Sequence, residues 1–395
     1  MIFDPYDYET QENPYPTYAK LRAEAPVYRN DERDFWALSK HADILAVLKD
    51  EKRFSNDHGV SLDPSSWGPN AHSVMSFLAM DPPDQTRLRK LVSRGFTPRR
   101  VAEMSEQIRR ISIEHLEPAL EQGTFDWVDD FAGRVPMDVI SEMVGVPRAD
   151  RAELRRLADL VVHRDDGVYD VPAEGIAATL DLVVYYQEMV NQRRRSRTDD
   201  LTSALIDVEA DGERLTDNEI ISFLFLMVVA GNETTTKLLA NAVHWGAANP
   251  DQLRKPLNDP SRISDWVGET LRYDTSSQVL ARRVNADVQI RGVDIAKNER
   301  LIVLLGSGNR DEDVFPDPDK YDLDRGSEQW AEHISFGKGR HFCLGANLAR
   351  LEANIALAEL AQRVSSIEAD PAQAERVHSI NVRGFAHLPI TVVPA

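Results

Sequence analysis

Apolar positions recur with helical spacing along most of the chain. The 3.6-residue period predicts amphipathic helices at 41–48, 101–120, 138–143, 150–162, 176–194 and 346–364. Short runs rich in Val, Ile and aromatic residues predict strands at 27–28, 35–38, 288–290 and 301–305. The pattern therefore predicts a mainly α fold with a small β region.

The longest predicted helix is apolar on every face over its first half, from Ile220 to Ala230. Thr216, followed three residues later by Glu219, forms a capping-box pattern that begins the helix, and Asn249-Pro250 ends it. A helix that is apolar all round lies in the interior of a protein. We therefore expect this helix to cross the centre of the molecule.

Residues 55–79 show no regular period. They are rich in Ser, Gly, Pro, Asp and Asn, with large apolar residues interleaved at Trp67, Val74, Met75 and Phe77. A loop of this length in a compact protein is usually functional or disordered. The interleaved apolar residues favour a functional loop, so we expect them to line a ligand site.

The amino-acid composition and net charge limit the kinds of molecule that we expect this protein to bind. The 395 residues carry a formal net charge of −19, which repels nucleic acid phosphate and anionic membrane surfaces, so neither is expected as a partner. The apolar runs are too short to span a bilayer, and the N-terminus lacks the pattern of a signal peptide. Because one cysteine and no disulfide framework suit a reducing compartment, a cytoplasmic location is predicted.

The most specific pattern surrounds the only cysteine, Cys343, within the run from Phe336 to Gly345. Glycines in this run let the loop turn tightly and bring its backbone against a large flat group. Its backbone N–H groups can donate to a sulfur anion, which the dipole of the following helix also favours. An isolated cysteine is more often a buried, inert residue. The full pattern of Phe, Gly, His and Cys is much rarer, and it favours a cysteine that ligates a metal.

A polar cluster interrupts the long helix at Ala230-Gly231-Asn232-Glu233-Thr234. Gly231 weakens a helix and Glu233 would be a buried charge, so the cluster is costly unless it has a function. Thr234 can donate back to the carbonyl of Ala230 and bend the helix. A solvent-facing patch is the alternative interpretation, and the apolar flanks on both sides argue against it.

Together these motifs resemble the cytochrome P450 family, in particular its soluble bacterial members. The heme-binding loop of that family reads F-G-x-G-x-H/R-x-C-x-G, and Phe336, His341, Cys343 and Gly345 occupy its fixed positions. The resemblance implies that Cys343 is the axial thiolate ligand of heme b and that His341 lies by a heme propionate. Because it covers essentially the whole chain, a single cytochrome P450 domain over residues 1–395 is expected.

The polar cluster resembles the acid–alcohol arrangement of the same family, Ala/Gly-Gly-x-Asp/Glu-Thr. Reduction of dioxygen consumes protons inside an otherwise dry pocket. The resemblance implies that Glu233 relays protons from outside and that Thr234 holds the hydrogen-bonded oxygen or water. It also implies that Ala230 lies against the heme.

Two further segments resemble heme contacts of the family. Asp81 to Arg89 fits the D-P-P-x-x-x-x-x-R helix, whose last arginine binds a propionate, and this implies that role for Arg89. Gln85 shares a helix face with Arg89 and is expected beside the heme, although many relatives have His there. Arg282 aligns with another arginine that binds a propionate. A solvated basic face is the simpler alternative for the arginines of the first segment.

Glu269 and Arg272 form an E-x-x-R pair, which is a buried structural brace in the family. The third arm of that brace is usually an arginine in a P-x-R-F-type segment, and Lys320 stands at that position here. A lysine cannot reproduce the bidentate fork of a guanidinium.

The resemblance implies a monooxygenase that uses dioxygen and hydroxylates or epoxidises a small organic substrate. Two electrons would come from a separate ferredoxin and ferredoxin reductase, or a flavodoxin. We expect that donor to dock on a basic surface that surrounds the cysteine side and consists of Lys90, Arg94, Arg99, Arg100, Lys338 and Arg340. Two alternatives remain. One is the same fold driven by peroxide, against which the Glu233–Thr234 pair argues. The other is a non-catalytic heme sensor or carrier.

The substrate pocket is expected to be mainly apolar. Steroids, terpenoids, fatty acyl chains and macrolides all satisfy that expectation. The contacts that the loop and the resemblance imply are Trp67, Val74, Met75, Phe77, Met227, Val279, Leu280 and Phe385.

Overall fold

The computed structural model describes residues 2–165, 167–210 and 212–395. About 54% of the residues lie in helices, which confirms the mainly α prediction. The α-helices are α1 (Tyr8–Glu12), α2 (Tyr15–Glu24), α3 (His41–Lys49), α4 (His72–Met75), α5 (Asp84–Val92), α6 (Pro98–Glu103), α7 (Ser105–Gln122), α8 (Arg134–Val144), α9 (Arg151–Val162), α10 (Ala173–Arg195), α11 (Leu201–Asp207), α12 (Asp217–Ala248), α13 (Pro250–Asn258), α14 (Ile263–Tyr273), α15 (Leu305–Gly308), α16 (Ser327–Ala331) and α17 (Ala346–Ala361).

The β region is small and divided among several sheets. The strands are β1 (Val27–Asn30), β2 (Phe35–Leu38), β3 (Phe54–Ser55), β4 (Thr124–Asp126), β5 (Glu209–Ala210), β6 (Glu213–Arg214), β7 (Val279–Val284), β8 (Val288–Ile290), β9 (Val293–Ile295), β10 (Arg300–Leu304), β11 (Val364–Ala369), β12 (Glu375–Arg376), β13 (Phe385–His387) and β14 (Pro389–Pro394). The largest sheet has the order β1-β2-β10-β7-β3, and β10 runs parallel to β2. A second sheet has the order β11-β14-β4.

Helix α12 is the central element, as its apolar pattern predicts. The Thr216 side chain accepts from the Glu219 backbone N–H, and the Glu219 side chain accepts from the Thr216 N–H, so the capping box forms. The 32 residues of the helix span about 48 Å. It contacts α8, α9, α10, α14 and α17, and most of its residues are buried.

Three predicted elements differ from the structure. The helix predicted over 101–120 is two helices, α6 and α7, which meet at Met104. The stretch 55–79, predicted as loop, ends in α4 and a 3-10 turn over Ser76–Ala79. The last predicted helix ends at Ala361, because Val364 begins strand β11 and pairs with Pro394. In each case, packing or pairing with other elements sets the bounds of the segment, and the local pattern alone does not.

The hydrophobic core has several clusters. The two largest include different halves of α12: the cluster at its C-terminal half contains Leu239, Trp266 and Leu357, and the cluster at its N-terminal half contains Phe77, Leu224 and Tyr186. Across the described ranges, every helix is too short or too polar to serve as a transmembrane span.

Candidate active site

The loop before α17 is folded tightly around Cys343. The Cys343 N–H donates to the carbonyl of Phe336 at 2.9 Å, and the Gly337 N–H donates to Ile334 at 2.9 Å. Gly339 has a φ of +72°, and a Cβ at this position would lie 2.5 Å from the carbonyl oxygen of Leu48. Only glycine fits such a position without a backbone shift. The glycine pattern therefore reflects real contacts of the loop with α3.

The Cys343 sulfur lies at the N-terminus of α17. The backbone N–H groups of Gly345 and Ala346 donate to it, as the sequence predicts. Burial raises the pKa of the thiol, and these N–H groups and the Arg89 guanidinium act in the opposite direction. The residue is nevertheless exposed. We infer that the Cys343 side chain borders an internal space, because it is surrounded by protein and still accessible.

Three cationic or polar side chains gather near the same loop. Neither ring nitrogen of the mostly buried His341 has a hydrogen-bond partner among the described residues. Burial, together with the positive charges of Arg282 and Arg89, lowers the pKa of His341 to about 3. Burial also lowers the pKa of Arg282 to about 10, and its guanidinium donates to its neighbour's carbonyl, Ala281 O, at 2.7 Å. These groups form a site suited to an anion.

Other predicted heme contacts hold the loop itself. Gln85 is buried and donates to the carbonyl of Arg340 at 3.2 Å. Arg89 donates to the carbonyl of Phe342 at 2.5 Å, and its guanidinium lies 5.6 Å from the ring centroid of Phe77. The Phe336 ring lies under a guanidinium that the sequence did not single out, Arg350, at 4.5 Å. Helix α5 therefore positions the cysteine loop, and a direct heme contact of Gln85 stays a prediction.

The polar cluster in α12 is partly accessible. Ala230 is exposed and Gly231 and Thr234 are partly exposed, although the helix around them is buried. The Thr234 hydroxyl donates to the carbonyl of Ala230 at 2.7 Å, as predicted. Leu344, next to Cys343, packs against the same hydrophobic cluster as Met227 of this helix. The exposed part of α12 and the cysteine loop thus border one region of the interior.

Glu233 points away from solvent into a charged group. It is fully buried, its carboxylate lies 3.5 Å from the Lys237 ammonium, and it accepts from Asn232 Nδ2 at 3.2 Å. Burial alone would raise the pKa of Glu233, but Lys237 and a hydrogen bond from Asp159 outweigh it and hold that pKa below its ordinary value. Lys237 could have been predicted as a partner of Glu233 from the i+4 spacing of the two residues. Asp159 could not, because it lies on a separate helix, α9.

The predicted substrate contacts do not all lie together. Val74, Phe77 and Met227 share one cluster, which borders α12. The strand pairing and packing of β7 place Val279 and Leu280 in different clusters, since alternate residues of a strand face opposite sides. The substrate contacts of Val279 and Leu280 stay predictions, and the two side chains face opposite sides of β7.

The remaining predicted contacts lie in other surroundings. Trp67 packs beside the cluster that contains Val279, and its ring centroid lies 5.8 Å from that of His58. Met75 lies near the backbone of Gly59. Phe385 is buried between the His244 ring and the Arg376 guanidinium, in the cluster at the C-terminal half of α12. Phe385 is thus a core residue, and its contact with a substrate stays a prediction.

The brace is built differently from the prediction. Arg272 donates to both oxygens of Glu269, at 2.9 Å and 2.8 Å, and both side chains are fully buried. Lys320 does not complete it: its ammonium binds Asp322 at the surface, and only its backbone carbonyl accepts from Arg272. Arg325 supplies the third arm and donates to Glu269 Oε1 at 3.1 Å. A guanidinium thus supplies the third arm, through one hydrogen bond to Glu269, from a position that the sequence did not indicate.

The residues present fit heme b. Cys343 offers a sulfur ligand at a helix N-terminus, and the unpartnered His341 nitrogens and the buried Arg282 are groups that the propionates of heme b could satisfy. The fit rests on the donor set, because buried polar groups require partners.

Comparisons with known proteins point to one family. The family described as Cytochrome P450 matches residues 263–381. Cytochrome P450 123 of Mycobacterium tuberculosis is 55% identical over 392 residues, which cover 99% of this chain and 97% of that protein. Cytochrome P450 109 of Bacillus spizizenii is 38% identical over 96% of this chain and 92% of that protein. The solved cytochrome P450 CYP109Q5 from Chondromyces apiculatus is 35% identical, with a TM-score of 0.88 over 100% of this chain and 98% of that one.

Proposed function

The chain belongs to the cytochrome P450 family, and we propose that it hydroxylates or epoxidises a mainly apolar small molecule with electrons from a separate protein donor. Its enzyme class is a heme b monooxygenase. The observation that carries the proposal is the polar cluster within α12, where the partly exposed Thr234 follows the buried Glu233. A buried carboxylate destabilises the core of a helix, so its presence beside an accessible hydroxyl favours a function.

When bound, heme b supplies the iron at which dioxygen is reduced. We assign the sulfur of Cys343 as the iron ligand, and His341, Arg282 and Arg89 as the groups that bind the propionates. The Gly345 and Ala346 N–H groups stabilise negative charge on the sulfur. On the side of α12, the Thr234 hydroxyl holds a proton in place and Glu233 replenishes it.

We propose steroid-like molecules as the substrate class to test first. The vitamin D(3) 25-hydroxylase of Pseudonocardia autotrophica is 36% identical over 97% of this chain and 94% of that protein. CYP109E1 from Bacillus megaterium, which is 30% identical with a TM-score of 0.85, has been solved in complex with corticosterone. The apolar cluster that contains Phe77 and Met227 supports an apolar ligand. Titration with steroids and, as the contrasting class, fatty acids would be followed in the Soret band. A shift with the fatty acids alone would contradict the steroid assignment.

Replacing Thr234 with alanine tests the reaction itself. We expect electron and dioxygen consumption to continue while product formation falls by about 10²-fold, at the low end of what a positioned proton-transfer group contributes. Without the hydroxyl, the reduced oxygen should leave as hydrogen peroxide, with two protons and two electrons per dioxygen. Product and peroxide are measured per dioxygen consumed.

The matched control for this variant is Thr235→Ala, since Thr235 is the next residue of α12 and is buried. It is expected to couple dioxygen consumption to product as the wild type does. An unchanged product yield in Thr234→Ala would overturn the role of Thr234. Efficient turnover driven by peroxide alone in the wild type would favour the peroxygenase alternative.

The electron donor is proposed to be a ferredoxin or flavodoxin that docks on basic residues near the cysteine loop. Arg99 and Arg340 are exposed, and each has one acidic partner, Glu103 and Glu51. Reversing either charge is expected to slow reduction by an acidic donor by about 10-fold at low salt, because charge steering raises association rates by that order or more.

The measurement is the stopped-flow rate of heme reduction, repeated at high salt, where screening should remove most of the difference. Arg156→Glu is the matched control, since Arg156 is exposed on α9 and pairs with Glu153. Equal rates for wild type and both variants would contradict docking on this surface.

A further inference from the structure

The guanidinium of Arg350 lies against the cysteine loop from the side of α17. It sits over the ring of Phe336, with 4.5 Å between the guanidinium carbon and the ring centroid. The backbone carbonyl of Phe336 accepts from the Cys343 N–H at 2.9 Å. A cation over an aromatic face is attracted to it, and more strongly where the pair is shielded from water. Arg350 therefore helps to fix the residue that holds the backbone of Cys343.

The half-buried charge of Arg350 has no carboxylate partner. Within residues 2–165, 167–210 and 212–395, no carboxylate oxygen lies within ion-pair distance of its guanidinium, and its polar neighbour is His333 Nε2 at 3.4 Å. Burial, together with the charge of Arg350, lowers the pKa of His333 to about 3, so that this histidine is neutral. A partly buried cation without a counter-ion is costly, which favours a function for its charge.

Two guanidinium groups contact the immediate surroundings of Cys343. Arg89 donates to the carbonyl of Phe342, which belongs to the peptide bond before the cysteine, and Arg350 covers Phe336. Burial raises the pKa of the Cys343 thiol, and the positive charges of Arg89 and Arg350 oppose that rise. Arg89 is assigned to a heme propionate, which would neutralise it. Arg350 is then the cation whose charge remains available to the sulfur.

We propose that Arg350 is a positioning residue that raises the reduction potential of the bound heme, an inference that rests on the proposed function and its assignment of Cys343 as the iron ligand. Reduction by one electron from the protein donor adds negative charge to the iron and its sulfur ligand. A positive charge held close to that ligand, away from bulk water, stabilises the reduced state relative to the oxidised state. Arg350 thus makes the iron easier to reduce.

Arg350→Gln removes the charge and is the decisive variant. In a spectroelectrochemical titration of the substrate-free holoprotein, we expect its reduction equilibrium to shift by about 10-fold toward the oxidised form, which is about 59 mV for a one-electron couple. Arg350→Lys keeps a cation that can lie over Phe336, so it should recover most of that shift. Arg254→Gln is the matched control, since Arg254 is exposed on α13 and pairs with Asp251, and it should match the wild type.

The equilibrium titration separates this role from two simpler ones. Only small mediators carry the electrons, so a residue that merely contacts the protein donor would leave the potential unchanged. Arg350→Met tests packing, because its unbranched apolar side chain can still cover the ring of Phe336 but carries no charge. The potential of this variant should fall as in Arg350→Gln. A wild-type potential in Arg350→Met would show that packing, and not charge, is the contribution of Arg350.

The outcomes also separate this inference from the proposed function. An unchanged potential in Arg350→Gln, or an equal fall in Arg350→Lys, would overturn the role of the Arg350 charge and leave the monooxygenase intact. If Arg350→Gln does not retain heme, Arg350→Met carries the measurement, and loss of heme from both would assign Arg350 a structural role instead. A wild type that shows the potential difference but oxidises no substrate would overturn the proposed function alone.

Discussion

Cys343→Ser is expected to abolish monooxygenase activity and to remove the strongly red-shifted Soret band of the reduced carbon monoxide complex. A serine hydroxyl is a far weaker electron donor than a thiolate, which favours O–O cleavage by donating charge to the iron. We expect product formation to fall by at least about 10³-fold, which corresponds to about 4 kcal/mol in the activation barrier.

The substitution leaves the loop intact. Serine is similar in size, and its oxygen can accept from the Gly345 and Ala346 N–H groups that donate to the sulfur. The Cys343 N–H bond to Phe336 involves only backbone atoms. Heme content, measured after extraction, shows whether the variant still binds the cofactor.

Phe342→Leu is the matched control, because Phe342 is the exposed neighbour of Cys343. Its hydrogen bond with Arg89 is made by the backbone carbonyl, which the substitution keeps. This variant should keep the red-shifted band. If Cys343→Ser also kept it, the iron would have another ligand and the assignment of Cys343 would be wrong.

Arg325→Ala is expected to lower the free energy of unfolding by about 3–5 kcal/mol, because it removes one partner of a buried ion pair and leaves Glu269 under-compensated. Glu269 is fully buried and accepts from Arg272, from Arg325 at 3.1 Å, from the Asp322 N–H at 2.9 Å and from Trp330 Nε1 at 3.3 Å. Arg325 also donates to the carbonyl of Pro316 at 2.6 Å, so it ties the segment before the cysteine loop to α14.

Lys320→Ala is the matched comparison. The Lys320 ammonium is largely exposed and pairs with Asp322, and such a surface pair contributes less than about 1 kcal/mol. The loss in free energy of unfolding for Arg325→Lys should fall between the losses for Lys320→Ala and Arg325→Ala. A lysine keeps the charge but cannot make the several hydrogen bonds of the guanidinium. Urea unfolding, followed by circular dichroism, measures all three. A larger loss in Lys320→Ala than in Arg325→Ala would mean that Lys320 is the third arm after all.

Much of the fold could be predicted from local patterns. The capping box specifies where α12 starts, and its apolar run specifies its central position. Both patterns lie within a short continuous stretch of the sequence. The boundary between α6 and α7 and the end of α17 at Ala361 were missed, since those helices end where another element packs or pairs. Periodicity alone does not contain that information.

The residues of the candidate site were likewise predictable only where they lie in one short run of the sequence. Cys343, His341 and their glycines lie within one short run, so the motif identified them together. Val279 and Leu280 were predicted as contacts from one run as well, but the pleat of β7 separates neighbouring side chains. Phe385 was assigned from a turn pattern, and only its packing against His244 and Arg376 shows that it is a core residue.

The sequence by itself determined the central helix, the cysteine loop and the family to which both belong. Only the tertiary structure decided that Arg325 and not Lys320 completes the brace, and that Arg350 lies over the ring of Phe336. Arg325 and Glu269 are 56 residues apart, and Arg350 lies on α17 whereas Phe336 lies in the loop before it. The physical reason is that such contacts form when separate elements pack, and the direction of a long side chain across an interface depends on that packing rather than on its neighbours in the chain.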